Sequence, residues 1–292
     1  MFTVSLIAAP AAANLDDALP GGLADRWGGD VTRWLSPGVA AEFDIAVLPG
    51  DSDQVWSDLQ AIGIDLAIQP AGGRRKRILI ADMDSTMIDQ ECIDELADMA
   101  GFGPRVAQIT ARAMNGELDF NAALTERVAL LANLPEAVIA QVLAERITYA
   151  AGGAVLVATM RAHGAYAALV SGGFTSFTRA VAQTLGFDEH RANTLLAQDG
   201  VLTGQVALPI LGREAKVDAL TQIAARLGTT PQNAIAVGDG ANDLGMIQLA
   251  GAGVALHAKP AVAAQAQIRI NHGDLTALLY LQGFAEEDFV TP

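Results

Sequence analysis

The sequence predicts an α/β chain: a Rossmann-like parallel sheet carrying an inserted helical cap, preceded by a small α+β domain of ferredoxin-like order. Three observations predict it. After residue 77, four short β-rich runs, ILIA, YAALV, AIAV and GVAL, alternate with amphipathic helical stretches, the pattern of parallel strands joined by crossover helices. Between the first two runs lies an excursion over roughly residues 90–150, too long for one crossover and without a good strand, which reads as a helical cap. Ahead of residue 77 the elements read βαββαβ.

The N-terminal elements follow in order. FTVSLIAA reads as a strand, LDDALPGGLADRW as a helix interrupted by Pro20, and VTRWL and EFDIAVL as strands. DSDQVWSDLQAIG reads as a helix capped by Asp51 or Ser52, and IDLAIQP as the last strand. Ala71-Gly72-Gly73 ends this unit, so the expected domains are 1–73 and 74–292. Arg74-Arg75-Lys76-Arg77 reads as a solvated linker and strand lead-in, with a docking patch as the alternative.

Composition bounds the function classes. With 292 residues, 51% of them hydrophobic, the chain has ample material for a packed core. Its 18 Lys plus Arg stand against 33 Asp plus Glu, and the formal net charge of −15 argues against nonspecific binding to nucleic acid or anionic membrane. An anionic substrate then needs a local reversal of the field, by a metal ion or a few placed cations. One cysteine, Cys92, excludes an internal disulfide and a cysteine-rich zinc site and fits a reducing cytoplasm. The start, MFTVSLIAAPAAANLDD, has small residues after a short apolar run, but no basic region precedes it and acids follow at once, so secretion is not expected. No apolar run approaches the roughly 18 residues of a membrane span.

Three of the β-rich runs stop in polar, glycine-bearing loops. ILIA precedes Asp82, AALV precedes Ser171-Gly172-Gly173, and AIAV precedes Gly238-Asp239-Gly240-Ala241-Asn242-Asp243. Ligands of open parallel sheets bind beyond the carboxyl ends of the strands, so these loops are expected to converge. Asp82 and Asp84, two apart on an extended segment, point the same way. Singly, each signal is weak; together they describe a phosphoryl site. The N–H groups around Ser171-Gly172-Gly173 suit an anion. Lys216, early in the helix REAKVDALTQIAARLG, supplies a point charge. Mg2+ takes oxygen ligands and needs only one or two carboxylates beside phosphate, which Asp82 and Asp239 provide, with Asp243 as a further ligand or a support. If Asp82 attacks phosphorus it forms an aspartyl phosphate, and Asp84 can protonate the leaving oxygen and later take a proton from water.

On these residues the sequence resembles the haloacid dehalogenase (HAD) superfamily of phosphotransferases and, within it, the phosphoserine phosphatase family. The superfamily's first motif matches Asp82-Met83-Asp84-Ser85-Thr86, its second Ser171, its third Lys216 and its fourth Gly238 to Asp243, in that order. The resemblance implies a HAD-type core with a helical cap, Asp82 as nucleophile, Asp84 as acid/base, and Mg2+ held by Asp82, Asp239 and the main-chain carbonyl of Asp84. It implies that Glu91 meets the ammonium and Arg127 the carboxylate of O-phospho-L-serine, while Ser171, Gly172, Gly173, Lys216 and Asn242 hold its phosphate. The implied role is the last step of serine biosynthesis. In DFNAALTERVALL, Phe120, Leu124, Val128 and Leu131 share one helical face and Arg127 falls inside it, so its guanidinium needs either a structural ion pair or a substrate carboxylate. The family match favours the substrate. Met114 and Phe120 are expected as apolar pocket walls or as cap core. The N-terminal unit is similar to small ACT-like amino-acid-binding modules; dimer contacts and serine feedback both stay open for it.

Other templates fail. Leu169 stands where Gly-x-Ser-x-Gly needs a glycine ahead of Ser171, no Gly-x-x-x-x-Gly-Lys-[Ser/Thr] occurs, and Gly101-Phe102-Gly103 lacks the third glycine of a dinucleotide loop. Cys92 beside Glu91 reads as a buried structural cysteine with a raised pKa. His163, His190, His257 and His272 show no metal-ligand spacing and read as ordinary surface or loop residues. The alternatives to a small-ester phosphatase are a phosphotransferase to another acceptor and a phosphoaspartate-bearing regulator. Asp84 and the cap argue against the regulator, which needs neither a general acid nor a closing lid.

Overall fold

The computed structural model describes residues 1–114 and 117–292, and of Met114 the backbone alone, so the expected wall formed by that side chain lies outside the described residues. Strand β1 (Phe2–Ala8), helix α1 (Ala18–Trp27), β2 (Arg33–Ser36), β3 (Ala40–Ile45), α2 (Ser52–Gln60) and β4 (Ile64–Pro70) build an antiparallel sheet in the order β2-β3-β1-β4. This is the ferredoxin-like arrangement. Val4, Leu6 and Ala8 of β1 pack with Leu23 of α1 and Val55 and Leu59 of α2, while Ile7 on the opposite face joins the larger core. Both faces of β1 are covered, so Thr3 and Ser5, which share a face with Ile7, are buried as well.

Two local expectations are corrected. Pro20 does not interrupt α1; it lies in the first turn, where a missing N–H breaks no intrahelical bond. Asp51 stands at the N-cap of α2 but makes no cap hydrogen bond, its carboxylate accepting instead from Trp27 Nε1 (2.9 Å) and Arg26.

The second part begins with β5 (Ile78–Ala81). Helices α3 (Cys92–Met99), α4 (Gly103–Met114), α5 (Phe120–Ala129) and α6 (Ala137–Glu145) follow as the excursion, and α7 (Gly153–Ala162) leads back to β6 (Tyr166–Phe174). Then come α8 (Thr175–Leu185), β7 (Glu189–Asn193), a hairpin of β8 (Leu195–Gln198) and β9 (Val201–Val206), α9 (Arg213–Arg226) and β10 (Ala234–Gly238). The chain ends through α10 (Leu244–Leu249), β11 (Ala252–Leu256), α11 (Pro260–Ala263), β12 (Ile268–Ile270) and α12 (Ala277–Leu281).

Six strands form one parallel sheet, β12-β11-β10-β5-β6-β7, with β5 and β10 at its centre. ILIA is buried at every position because one apolar cluster covers Leu79 and Ala81 and a second, built on α9, covers Ile78 and Ile80. The sequence reading found four of these strands. It missed β7, where EHRAN buries only Ala192 and Asn193, and β12, which has three residues.

The two segments crossing between core and cap are zipped together. Ile88 bridges Tyr149 in antiparallel fashion, Asp89 N–H donates to Thr148 O (3.1 Å) and Ala150 N–H to Met87 O (3.1 Å). The basic run 74–77 is not a solvated linker throughout. Arg74 donates to Leu281 O (3.0 Å), Tyr280 O and the buried Glu42, and Arg75 lies over the Phe284 ring at 3.3 Å. No helix among the described residues is long and apolar enough to cross a membrane.

Candidate active site

The strand ends converge as the pattern required. Asp82, Asp84, Glu91, Arg127, Ser171, Gly172, Gly173, Asp239 and Asn242 all line one cavity of about 630 Å3, roofed by residues of α4 and α5. Lys216 and Asp243 lie buried behind its floor.

Asp82 follows β5, its N–H donating to Val237 O of β10 (3.0 Å), so the central strand pair fixes its backbone. Its Oδ1 accepts from Met83 N–H (2.8 Å) and from the Lys216 ammonium (2.6 Å). Lys216, in the first turn of α9, also donates to Asp243 Oδ1 (2.6 Å). The expected point charge is thus a bridge between two carboxylates. Burial alone would lower the pKa of that ammonium, but the Asp82 and Asp243 charges override it and hold it above its ordinary value.

Asp84 lies in a different environment. Its Oδ2 accepts a long hydrogen bond from Cys92 N–H (3.4 Å), and its Oδ1 is buried without a partner among the described residues. Burial first, then the charges of Glu91 and Asp82, pushes its pKa well above the carboxylate range. One aspartate is held by donors, while its neighbour is favoured in the protonated form. Ser85 between them and Glu91 takes a left-handed backbone (φ +55), and its Oγ donates to Glu91 Oε1 (2.9 Å). Burial at the cleft raises the pKa of Glu91, with Asp82 and Asp94 adding repulsion.

Ser171 ends the apolar part of β6, and its Oγ accepts from Gly173 N–H (2.8 Å). A Cβ at Gly173 would lie 3.1 Å from Ser171 Oγ and 3.2 Å from Asp84 Oδ2, so glycine keeps the cradle open. Phe120, half-exposed at the start of α5, closes the cradle from above, within 3.2 Å of where a Cβ on Gly172 would sit.

Arg127 projects from α5 into the cavity, its Nε donating to Ala123 O (3.3 Å). No carboxylate lies within 4.0 Å of its guanidinium among the described residues. The structural ion pair is therefore not what this side chain makes. Burial lowers its pKa, countered by the more distant charges of Asp94, Glu91 and Asp84.

The donors fit a hard cation. Asp82, Asp239 and Asp243 offer carboxylate oxygens within 4.8 Å of one another, all oxygen and all anionic. Asp239 is crowded: burial, Asp82 and Glu91 push its pKa up to about 6. Asp243 is engaged on both oxygens, by Lys216 on Oδ1 and by Gly240 N–H (2.9 Å) on Oδ2. Thr86, Met87 and Ile88 N–H groups all converge on Met83 O, and none turns to the Asp84 carbonyl.

Three residues escaped the sequence reading. Asn193, buried at the end of β7, donates to Gly172 O (2.8 Å) and Leu211 O (3.2 Å) and accepts from Leu211 N–H (2.7 Å), tying the cradle to the loop ahead of Lys216. Lys259 and Arg213 line the cavity as additional cations. Lys259 had a legible signal, since it follows the run GVAL by three residues and so stands, like the others, beyond the carboxyl end of a strand.

The sequence model of the haloacid dehalogenase-like hydrolase family matches residues 79–248, which hold every loop of the cavity floor except the one carrying Lys259. The chain belongs to that family. This HAD hydrolase is 47% identical over 210 residues to a phosphoserine phosphatase of Albidiferax ferrireducens, covering 70% of this chain and 89% of that one. It is 42% identical over 234 residues to a phosphoserine phosphatase of Streptomyces coelicolor, covering 80% of this chain but only 57% of that relative. Among solved structures, a HAD-family hydrolase of Salmonella enterica serovar Typhi matches with a TM-score of 0.85 at 32% identity, covering 98% of this chain and 99% of that one. The likeness therefore spans both sheets and the helices inserted between β5 and β6.

Proposed function

We propose that this HAD hydrolase is a phosphoserine phosphatase, hydrolysing O-phospho-L-serine to L-serine and phosphate through an aspartyl phosphate on Asp82. The observation that carries the substrate assignment is Arg127, an inward guanidinium over the Asp82 cavity with no protein carboxylate at ion-pair distance among the described residues. The names of the relatives support the same reading.

In this mechanism Asp82, Asp239 and the Asp84 carbonyl would hold Mg2+, which would supply Lewis-acid charge to offset the phosphate and the crowded carboxylates. Lys216 and Met83 N–H fix Oδ1 of Asp82, leaving Oδ2 to attack phosphorus. Ser171 Oγ and the Gly172 and Gly173 amides, with Asn242 at the rim, cradle the phosphoryl oxygens. Asp84, whose acid form its buried setting favours, donates to the departing serine oxygen; as a carboxylate it then accepts a proton from the water that cleaves the acyl phosphate. Glu91 meets the substrate ammonium and Arg127 its carboxylate. The cap excludes bulk water during the first transfer.

On the same reading, residues 1–73 are an accessory ACT-like domain, with homodimer contacts and serine feedback both open as its role, and the enzyme works in the cytoplasm on a small molecule. The test is phosphate release, with and without Mg2+, from L-phosphoserine, phosphothreonine, phosphoethanolamine, phosphoglycolate and an aryl phosphate, with Asp82→Asn as control. Mg2+-dependent preference for L-phosphoserine, lost in the variant, is expected. Turnover of the other esters with phosphoserine poor would keep the chemistry and remove the roles of Glu91 and Arg127.

A further inference from the structure

Asp65 is an ionisable residue that the proposed chemistry leaves unused, yet it is fully buried. It sits on β4, the edge of the antiparallel sheet that packs against β12. Its carboxylate accepts the backbone N–H groups of Asn271 (2.9 Å), His272 (3.0 Å) and Gly273 (2.8 Å), and the Gln60 side-chain amide (3.1 Å). Three consecutive peptide groups after β12 are thus clasped by one side chain of the N-terminal sheet. Charge-assisted bonds of this kind fix a loop far more tightly than neutral contacts do.

The other end of that loop lies against the cap stalk. Leu275 N–H donates to Ala151 O (3.2 Å), and Asp274 Oδ1 accepts from Thr276 N–H (2.8 Å), which holds the turn closed. A Cβ on Gly152 would fall 2.7 Å from Thr276 N and 3.0 Å from Asp274 Oδ1, and Gly152 has φ +78, so only glycine fits where the stalk meets the loop. Two residues before Gly152, Ala150 N–H donates to Met87 O, in the turn that begins at Asp84. A third branch leaves from Gly273, whose carbonyl accepts from His257 Nε2 (2.8 Å), two residues ahead of the cavity-lining Lys259.

A cap that opens and closes must turn where its chain crosses to the core. From this geometry we infer that Asp65 is a positioning residue for the cap: through the 271–276 loop, the N-terminal sheet holds the stalk at Gly152 and so sets the cap over the substrate. Its kinetic consequence rests on the phosphatase reading; its structural consequence does not.

Hydrogen exchange and steady-state kinetics on the full chain test this, comparing Asp65→Asn with Gln69→Ala. Both weaken the same seam, since Gln69 Nε2 donates to Leu281 O (2.7 Å), but only Asp65 touches the 271–276 loop. In Asp65→Asn, amides of 148–153 should exchange faster together with those of 271–276, and KM for O-phospho-L-serine should rise about tenfold with kcat changed less; Gln69→Ala should resemble wild type. Faster exchange confined to 271–276, with 148–153 and KM at wild-type values, overturns the inference. So does Gln69→Ala reproducing both effects. If wild type turned out to prefer another ester, the exchange comparison would still decide the coupling. Should Asp65→Asn fail to fold, Gln60→Ala removes bonds to Asp65 and Asn271 while leaving the clasp in place, and the same two criteria apply at smaller amplitude.

Discussion

The Lys216 ammonium stands 2.6 Å from Oδ1 of Asp82, and in the proposed mechanism that contact leaves Oδ2 as the attacking oxygen. With Asp243 on its other side, Lys216 is a buried cation between two buried acids. Lys216→Met should lower phosphate release about 10²–10³-fold by releasing Oδ1 and removing preorganised positive charge. It should also cost stability, about 3–5 kcal/mol, because two carboxylates are left without their partner. The lysine pKa is raised in the fold, so its contribution is complete below the ordinary lysine pKa and fades as pH rises through the higher folded value. The lysine's own contribution should therefore persist through neutral pH and be lost only above about pH 10, while Asp243, pushed up to about 7 by burial and Asp82 against the pull of Lys216, adds a pH dependence near neutrality. Rapid-quench trapping of phosphorylated Asp82 and thermal melts across pH check both parts.

Asp84 should matter in proportion to the basicity of the leaving oxygen. Its raised pKa favours the acid form, which is lost as pH rises through the raised value. Asp84→Asn should therefore lower turnover of an alkyl phosphate about 10²–10⁴-fold while slowing formation of the phosphoenzyme from an aryl phosphate much less. Equal losses on both esters in single-turnover experiments would remove the general-acid role.

How legible all this was depended on how each residue signals itself. Asp82, Ser171 and Asp239 follow buried apolar runs, so strand ends and glycine loops located them from the sequence alone. Asn193 could not be found that way, because β7 is polar and Asn193 acts by bonding backbone groups 18 and 21 residues away. Arg74 was misread for a related reason. A run of four basic residues looks solvated, and only the tertiary fold brings Glu42 and the carbonyls of Tyr280 and Leu281 to it. Pro20 shows the opposite error: the residue type was read correctly as a breaker, but its effect depends on helix position, and the first turn tolerates it.

The Arg74 guanidinium ties Glu42 of the antiparallel sheet to the carbonyls at the end of α12, and both charged groups are largely withdrawn from water. Arg74→Ala leaves Glu42 with the exposed Arg33 as its one cation among the described residues and strands the two carbonyls Arg74 served. A loss of about 3–5 kcal/mol is expected. Calorimetry should show it as a lower melting temperature, with kcat measured well below the transition little changed.

Cys92 is fully buried, and burial, reinforced by the Asp84 carboxylate, pushes its thiol far above the ordinary range. Thiolate is the reactive form, so the folded enzyme should resist iodoacetamide at about pH 8 and react fully once denatured. Mass spectrometry of the two samples gives the result directly. Modification of the native enzyme at the rate of a free thiol would mean that the base of α3, against which Asp84 is packed, opens in solution.

Arg127 gives the sharpest test of substrate identity, because its effect should depend on one group of the ligand. It stands in the cavity wall, held only by its Nε–H to Ala123 O, and no protein carboxylate occupies its fork among the described residues. If it binds the substrate carboxylate, Arg127→Ala should raise KM for O-phospho-L-serine about 10–100-fold, the worth of a charge-assisted bond. Phosphoethanolamine has the same phosphate and ammonium but no carboxylate, so its KM should hardly change. Arg127→Lys should recover only part of the loss, since an ammonium keeps the charge but not the two parallel donors. If instead Arg127 merely props the cap, both substrates lose equally. The ratio of the two losses, rather than the size of either, separates recognition from support.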